Sequence, residues 1–592
     1  MPSITDISFS TASDFDTDVM VVGSGPTGAT AALALVTYGV TTHMVSRWNW
    51  LANTPRAHIT NQRTVEVFRD LDIEAETHLY ATPWEWMGDS PFTTSLAGEE
   101  LVRLRSWGTG DARKSDYLQG SPCPLMDLPQ PLIEPILLKN AAKRGATFSM
   151  NTEYLSHVED AYGVTVTLRE RLTGREYTMR AKYLIGADGA NSQIVKNIGL
   201  PITGEMARAG TLYTLFNADL TRYVQHRPSI LNWIVSPDAS FGELGVGMMR
   251  AVKPWTEWIV GWGFDMTKGE PDQSDEAVLP RIRSLIGVSD IEIEVINKSI
   301  WYVNEAYATE YSKGRVFCGG DAVHRHPPSS GLGLNTCVQD AHNLAWKLAF
   351  VLNGHADPKL LDSYSSERAP VGKQIVRRAN QSRRDYAALN KVFRVEGAEN
   401  PVAAGIARFK DPGAEGAKAR RAVLDVLELK NHEFNAQGVE MNQRYVSSAV
   451  ISDPDAGEEV WIRDAELYLQ PTTRPGAKIP HAWLVDDRGI RISTLDITGK
   501  GKFSLMTGLS GHAWAEAADQ LDLPFLRTVV IGQKAYQDLY CDWARLREID
   551  EAGALLVRPD GFIAWRHAKA VENSNVALKL LEHALCELDL RS

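Results

Sequence analysis

The chain is poor in everything that would place it on a charged polymer, a membrane or a metal. Its 62 basic residues are outnumbered by 74 acidic ones, giving a formal net charge of −12. That balance argues against nonspecific binding of nucleic acid or of anionic membrane surfaces. No run of about 18 apolar residues offers a membrane span, and the first 18 residues lack the basic start and apolar stretch of a secretory leader. The five cysteines (Cys123, Cys318, Cys337, Cys541, Cys586) are scattered. None forms a CxxC pair or a Cys/His ligand spacing, so the expectation is free thiols in a reducing, cytoplasmic compartment and no metal site. No nucleophile motif, internal repeat or low-complexity tract is visible either. What is present is ordinary globular composition, 44% hydrophobic and 23% charged over 592 residues, which implies two or three domains.

The most informative stretch runs from Asp18 to Leu35. Val19 to Val22 is a short apolar, β-branched run of the kind buried in a parallel sheet. It breaks into Gly23-x-Gly25-x-x-Gly28 and an alanine-rich helix that Gly39 can end. This spacing suits a dinucleotide turn. The first glycine permits the tight bend, the second admits a pyrophosphate to the backbone, and the third lets helix and strand pack closely. The helix start adds unpaired N–H groups and a positive dipole end. The second strand should be Thr41 to Val45. It ends in Ser46 and Arg47, where such sites often place an acid for the adenosine ribose.

Further on, Pro55 restrains the approach to a helix that begins near Thr64, and Arg56 and Arg63 flank it. Either arginine is a solvated helix-end charge or a phosphate partner. A helix from Asp127 to Arg144 contains Gln130. Thr152 to Ala181 alternates polar and apolar residues as a β-meander and feeds the strand 182–186, which ends in Ala187-Asp188-Gly189. From about Leu212 to Ile300 the pattern becomes antiparallel strands punctuated by Trp233, Trp255, Trp258 and Trp262. Those rings are either core or an apolar lid over an aromatic ligand. The chain then returns to a βα unit at Gly319-Gly320-Asp321-Ala322, with a proline- and glycine-bearing loop from His324 to Asn335 and a helix from Thr336 to Leu352. Glu396 to Lys418 is rich in glycine, alanine and charge, as in a linker or mobile crossing. Near the end, Ala554 to Trp565 reads as a hairpin turning at Pro559-Asp560-Gly561.

Three glycine-bearing turns, at Gly23–Gly28, Asp188-Gly189 and Gly320-Asp321, each lie where a strand hands over to a helix. The carboxyl ends of strands in a doubly wound sheet share one crevice, so a single dinucleotide can engage all three. The set GxGxxG, GADG and GGDA, the last followed by His324-x-x-Pro-Pro, resembles the class A flavoprotein aromatic hydroxylases of the phenol hydroxylase branch. The stretches 54–63, 95–100 and 183–191 are similar to that branch as well, and the resemblance covers essentially the whole chain.

That resemblance implies an α/β fold: a Rossmann-like FAD-binding domain interleaved with a β-sheet substrate domain, then a C-terminal thioredoxin-like α/β domain. The expected divisions are 1–200 and 305–395 for the FAD domain, 201–304 for the substrate sheet, 396–445 for a linker and helical crossing, and 446–592 for the last domain. It implies FAD held by Gly23, Gly25 and Gly28, flavin contacts at Arg56 and Gln130, and Asp188 in a turn associated with FAD and the nicotinamide cofactor. Asp321 is expected at the ribityl hydroxyls, and Pro328, Gly331, Gly333 and Asn335 at the isoalloxazine. No second dinucleotide fingerprint is present, as in relatives that bind NADPH or NADH transiently.

The implied reaction is hydroxylation of a phenol ortho to its hydroxyl, using O2 through a flavin C4a-hydroperoxide. The substrate would be a chlorophenol or a simple substituted phenol. A ring without an electron-donating group is a poor nucleophile, so a base that removes the phenolic proton helps. His58 occupies the place where phenol hydroxylase relatives carry an aspartate. It titrates near neutrality and is either that base or a structural hydrogen-bonding residue. Arg250, on the tryptophan-rich sheet, is a candidate to steady phenolate charge. The alternatives are a tailoring hydroxylase of a polyketide-like or resorcinol-type phenol, a flavin oxidase or dehydrogenase without oxygen insertion, and a non-catalytic flavoprotein redox sensor. A homo-oligomer, dimer or tetramer, is expected. The missing CxxC in the last domain points to a structural or subunit-contact role there.

Overall fold

A computed structural model describes residues 15–237, 239 and 246–591. Its first sheet has a parallel centre in the order Val316–Cys318, Glu176–Gly186, Thr17–Val22, Thr42–Val45 and Thr147–Ser149. The apolar run 19–22 is buried at its middle, because helices cover both faces of such a sheet. The helix Pro26–Thr37 packs on it together with Gln130–Lys143 and Gly333–Leu352. The expected meander is present as Thr152–Glu159 and Val164–Glu170, antiparallel to the long strand Glu176–Gly186.

The second sheet is antiparallel except at one junction. It is built mainly from Ile202–Asn217, Leu231–Ile234, Gly247–Lys253, Glu257–Phe264 and Glu294–Ala308. It also takes in Ser90–Thr93 and Glu100–Leu104 from far earlier in the chain, and His324–Arg325 from the loop after the third turn. The sheet therefore crosses the expected boundary at residue 200, since backbone pairing joins strands by space and not by sequence. Its tryptophans divide into two groups. Trp258 and Trp262 lie in a core closed by the helix Asp275–Ile286. Trp233 packs instead with Phe92, Met248 and Ile59 on the side of the first sheet's loops.

The expected linker and helical crossing, 396–445, contains the helices Pro401–Lys410, Ala414–Phe434 and Gln437–Met441, so helix also occupies most of the 396–418 stretch read as linker or mobile. Alanine, lysine, arginine and glutamate are strong helix formers. Val423, Leu427 and Phe434 give one helix an apolar face that seals against Tyr386, Leu389 and Phe393, next to Trp233. The C-terminal domain is thioredoxin-like. Phe503–Gly508 lies parallel to Leu526–Ile531 and antiparallel to Ala554–Val557, whose hairpin partner is Ile563–His567. The helices His512–Leu521 and Ser574–Glu587 pack together on it. The expected turn closes with Gly561 N–H donating to the Arg558 carbonyl at 2.9 Å. All five cysteines are free thiols.

Candidate active site

The three glycine turns end neighbouring strands. Val22 is in register with Gly186, and Gly186 with Cys318. Ala187 N–H donates to Val22 O at 2.8 Å, and Gly319 N–H to Gly186 O at 3.1 Å, so Gly23, Ala187 and Gly319 stand side by side at one edge. A Cβ on Gly23 (φ +114°) would sit 2.1 Å from the Ala187 carbonyl oxygen, and one on Gly28 would sit 1.9 Å from that of Gly23. Both glycines are therefore demanded by the protein itself. Gly25 is different. Its Cβ would meet only Glu134 Oε1, at 4.0 Å. Gly25 is also the N-cap of Pro26–Thr37 and supplies no side-chain cap. The helix start is thus an open cradle of N–H donors, the shape and charge a pyrophosphate requires.

Around this cradle, Gln130 Nε2 donates to Glu134 Oε1 at 2.6 Å, and Ala52 N–H donates to Glu134 Oε2 at 2.8 Å. Burial raises the Glu134 carboxyl above its ordinary range, and nearby Arg56, itself exposed, pulls the other way. Asp188 spends its carboxylate locally. It accepts from Ser192 Oγ (2.5 Å) and from the Gln193 and Ile194 N–H groups (2.7 and 3.2 Å) at the start of the helix Gln193–Ile198. Asp321 is exposed at the same edge and, among the described residues, has only a distant Cys337 thiol, 3.9 Å away, on its carboxylate. Arg63 is not at the phosphate cradle. It is buried and donates to Glu66 and to the Asp560 carbonyl.

The loop after the third turn bends through Ser330 and Gly331, both with positive φ, and is pinned by Asn335. The Asn335 amide donates to Gly331 O (2.6 Å) and Ile59 O (2.9 Å), while its oxygen accepts from Asn61 N–H (2.9 Å). A Cβ on Gly331 would lie 3.1 Å from that of Ile59. Pro328 is exposed on this loop and Gly333 opens the following helix. The loop expected to border the flavin ring therefore lies against the strand that follows His58.

His58 sits beside a residue that sequence reasoning did not single out. Ile59–Thr60 pairs antiparallel with Met126–Asp127, and Leu128 N–H donates to the His58 carbonyl at 2.8 Å. This brings His58 Nδ1 to 3.5 Å from Asp127 Oδ1. From the second sheet, Arg250 Nη2 reaches the same oxygen at 2.9 Å. Asp127 is fully buried, and Arg250 and His58 nearly so. Burial raises the cost of ionising Asp127, yet Arg250 and His58 outweigh it and hold the carboxyl below its usual range. Burial, helped by Arg250, lowers His58 below 6.5 against the opposing pull of Asp127. Both ring nitrogens of His58, Oδ2 of Asp127 and Nε of Arg250 are buried without a hydrogen-bond partner among the described residues. Four such atoms in one buried group are polar capacity that a polar ligand would satisfy. Beside this group, Ile59, Leu231, Met248 and Trp233 belong to one buried apolar cluster, with Tyr213 packed against it.

A dinucleotide cradle at the edge of a doubly wound sheet, with a buried His-Asp-Arg group beside an apolar, aromatic-bearing cluster, fits the class of nucleotide-dependent oxidoreductases. Known proteins agree. Residues 16–379 match the family described as FAD binding domain, and residues 472–587 match the aromatic-ring hydroxylase C-terminal region. The chain is 48% identical to 2,4-dichlorophenol 6-monooxygenase of Cupriavidus pinatubonensis, covering 93% of each chain. It is 45% identical to phenol 2-monooxygenase of a Pseudomonas species, over 95% of this chain and 92% of the relative. The crystal structure of the flavin-dependent monooxygenase PieE, in complex with FAD and substrate, superposes with a TM-score of 0.92 at 40% identity. That match covers 97% of this chain and 99% of PieE. The chain belongs to the FAD-dependent aromatic-ring hydroxylases of the phenol hydroxylase branch. It is accordingly a monooxygenase whose cofactor is FAD, with NADPH or NADH as the reductant.

Proposed function

We propose that the protein hydroxylates a small substituted phenol, such as a chlorophenol, at the carbon ortho to its hydroxyl. The balance is phenol, O2, NAD(P)H and one proton giving catechol, water and NAD(P)+. The observation that carries this reading is the buried His58–Asp127–Arg250 group with its four unpartnered polar atoms. A phenol hydroxyl is a small polar group on an apolar ring, which suits that group set into a wall of Trp233, Met248 and Ile59.

The open cradle at Gly25 and the exposed Asp321 carboxylate suit FAD, with Arg56, Gln130 and the Pro328–Asn335 loop, including Gly331 and Gly333, as its further contacts. Asp188 contributes by fixing the middle turn, not by a free carboxylate. When bound, FAD supplies the electron transfer and oxygen activation that no side chain can perform. The chain's own residues prepare the phenol. A neutral His58 ring nitrogen accepts the phenolic proton, and the ring carbon ortho to the oxygen becomes electron-rich. Asp127 lies against the imidazole and stabilises the imidazolium that forms, while Arg250, held by the same carboxylate, faces the phenolate charge. The surrounding rings exclude water, which strengthens each of these interactions.

A phenol panel with mass analysis of products tests the reading, and it also separates a simple phenol from a larger resorcinol-type substrate. Asp127→Asn is expected to lower kcat roughly ten- to hundred-fold, because it removes the charge that supports the imidazolium. FAD content should be unchanged, since no cradle residue touches Asp127. Full activity in this variant would remove Asp127 from the reaction. Arg56→Ala is expected to weaken FAD binding about ten-fold, the loss of one phosphate-type contact, as read by flavin fluorescence titration. We further place the enzyme in the cytoplasm, which its free cysteines suit, and as a homo-oligomer. Exposed Val446, Val460, Trp461 and Ile462 support the latter, and light scattering tests it.

A further inference from the structure

The C-terminal domain lacks redox cysteines, yet it holds the helix Gln62–Asp70 at both ends. This helix starts two residues after the Ile59–Thr60 strand, with Asn61 as its cap. At its far end, Arg69 pairs with Asp496 (2.7 and 3.0 Å), and the Asp70 carboxylate accepts from Lys500 N–H at 2.7 Å. At its near end, Arg63 Nη2 donates to the Asp560 carbonyl at 2.7 Å, with its guanidinium 5.3 Å from the Phe562 ring centre. Between these contacts sits Glu66, 2% exposed. Its Oε2 accepts from Arg63 at 3.1 Å. Its Oε1 accepts from Ser121 Oγ at 2.7 Å and from Lys478 Nζ at 3.0 Å.

These contacts join three parts of the chain. Arg63 and Glu66 belong to the helix leading from His58. Ser121 opens the segment that runs to Asp127, and Gln62 Nε2 clasps that segment at the Cys123 carbonyl (3.0 Å) and the helix just before it at the Tyr117 carbonyl (2.8 Å). Lys478 comes from the C-terminal region, beside the bridge Lys478–Phe562. One buried carboxylate therefore carries the segments of His58 and Asp127, and its second cation is supplied from outside the flavin domain.

We propose that Lys478 is a positioning residue for the hydroxylation site. Through Glu66 it fixes the His58 segment against the Asp127 segment, which gives the C-terminal domain a catalytic purpose without any redox chemistry. The inference rests on the reading of His58 as the phenol's base. A shift of about an ångström between reacting groups can cost up to roughly a hundred-fold in rate, so small losses of register are readable.

Lys478→Met is a suitable probe because it leaves Arg63 and Glu66 as a matched pair, with no buried charge alone. The glycine cradle shares none of these contacts. The holoenzyme variant is expected to bind FAD within about two-fold of the parent. Its hydroxylation kcat should fall roughly ten-fold, with peroxide replacing catechol for each NAD(P)H oxidised. Lys478→Arg, which keeps the cation, should recover most of the loss. In a His58→Ala background, Lys478→Met should cost less than about two-fold more, since the residue acts through one already removed. Unchanged kcat and coupling in Lys478→Met, or the same factor lost with and without His58, would overturn the inference. So would a kcat loss that merely follows a loss of FAD. Should His58→Ala itself be fully active, the base reading falls, and the Lys478→Met and Lys478→Arg pair alone decides the positioning role.

Discussion

Gly25→Val is expected to purify as a folded but colourless protein, with FAD affinity lower by about a hundred-fold or more. At 1.4 kcal/mol per factor of ten this is about 2.8 kcal/mol or more of lost binding. The backbone at Gly25 (φ −70°, ψ −177°) suits any residue, and only one side-chain atom, 4.0 Å away, faces a new Cβ. The added methyl groups therefore enter the space proposed for the pyrophosphate and little else. Its neighbours give the contrast. Gly23→Ala and Gly28→Ala drive a Cβ to about 2 Å from backbone carbonyl oxygens, so they should damage the strand–turn–helix itself and lower the melting temperature. Flavin absorbance per protein, read beside a thermal melt, separates the two classes. A yellow Gly25→Val protein would move the cofactor elsewhere.

His58→Ala should retain FAD and lose hydroxylation by roughly 100- to 1000-fold, the range of a general base in place. The pH profile is the sharper readout. His58 accepts a proton only when neutral, and burial with Arg250 lowers its pKa below 6.5. The parent should therefore hold its rate through neutral pH and lose it as pH falls through that lowered value. In His58→Ala this acid limb disappears. The residual rate should instead rise toward the ionisation of the phenol itself, near pH 10 for an unsubstituted ring. An unchanged rate and acid limb would return His58 to a structural role.

The parts legible in the sequence were those encoded locally. Gly23–Gly28 carries its own steric logic, the meander shows its period of two, and Pro559-Asp560-Gly561 announces a hairpin turn. His58 was legible as a candidate because its neighbours follow a family pattern, and Arg250 because it is a cation on the tryptophan-rich sheet. Asp127 was not. It lies in a two-residue strand, and its partners are 69 and 123 positions away, so only the fold brings them together. The faint signal was an acid set between Met126 and Leu128 in an otherwise apolar run. Glu66 was hidden for the same reason: on a helix it passes for a solvated charge until Ser121 and Lys478 arrive from distant segments. Within the expected linker and helical crossing, the helix Pro401–Lys410 and the first turn of Ala414–Phe434 were hidden, because Gly405, Gly413 and Gly416 masked the helix-forming residues around them. The second sheet's early strands were missed because pairing across more than a hundred residues leaves no local trace.

The most direct measurement is a turnover of the purified holoenzyme with NAD(P)H, 18O-labelled O2 and 2,4-dichlorophenol, with products followed by mass spectrometry. The account predicts 3,5-dichlorocatechol carrying one labelled oxygen at the carbon ortho to the original hydroxyl, with NAD(P)H consumed in equal amount. Unmodified phenol with labelled peroxide, here and across a panel of substituted phenols, would contradict it.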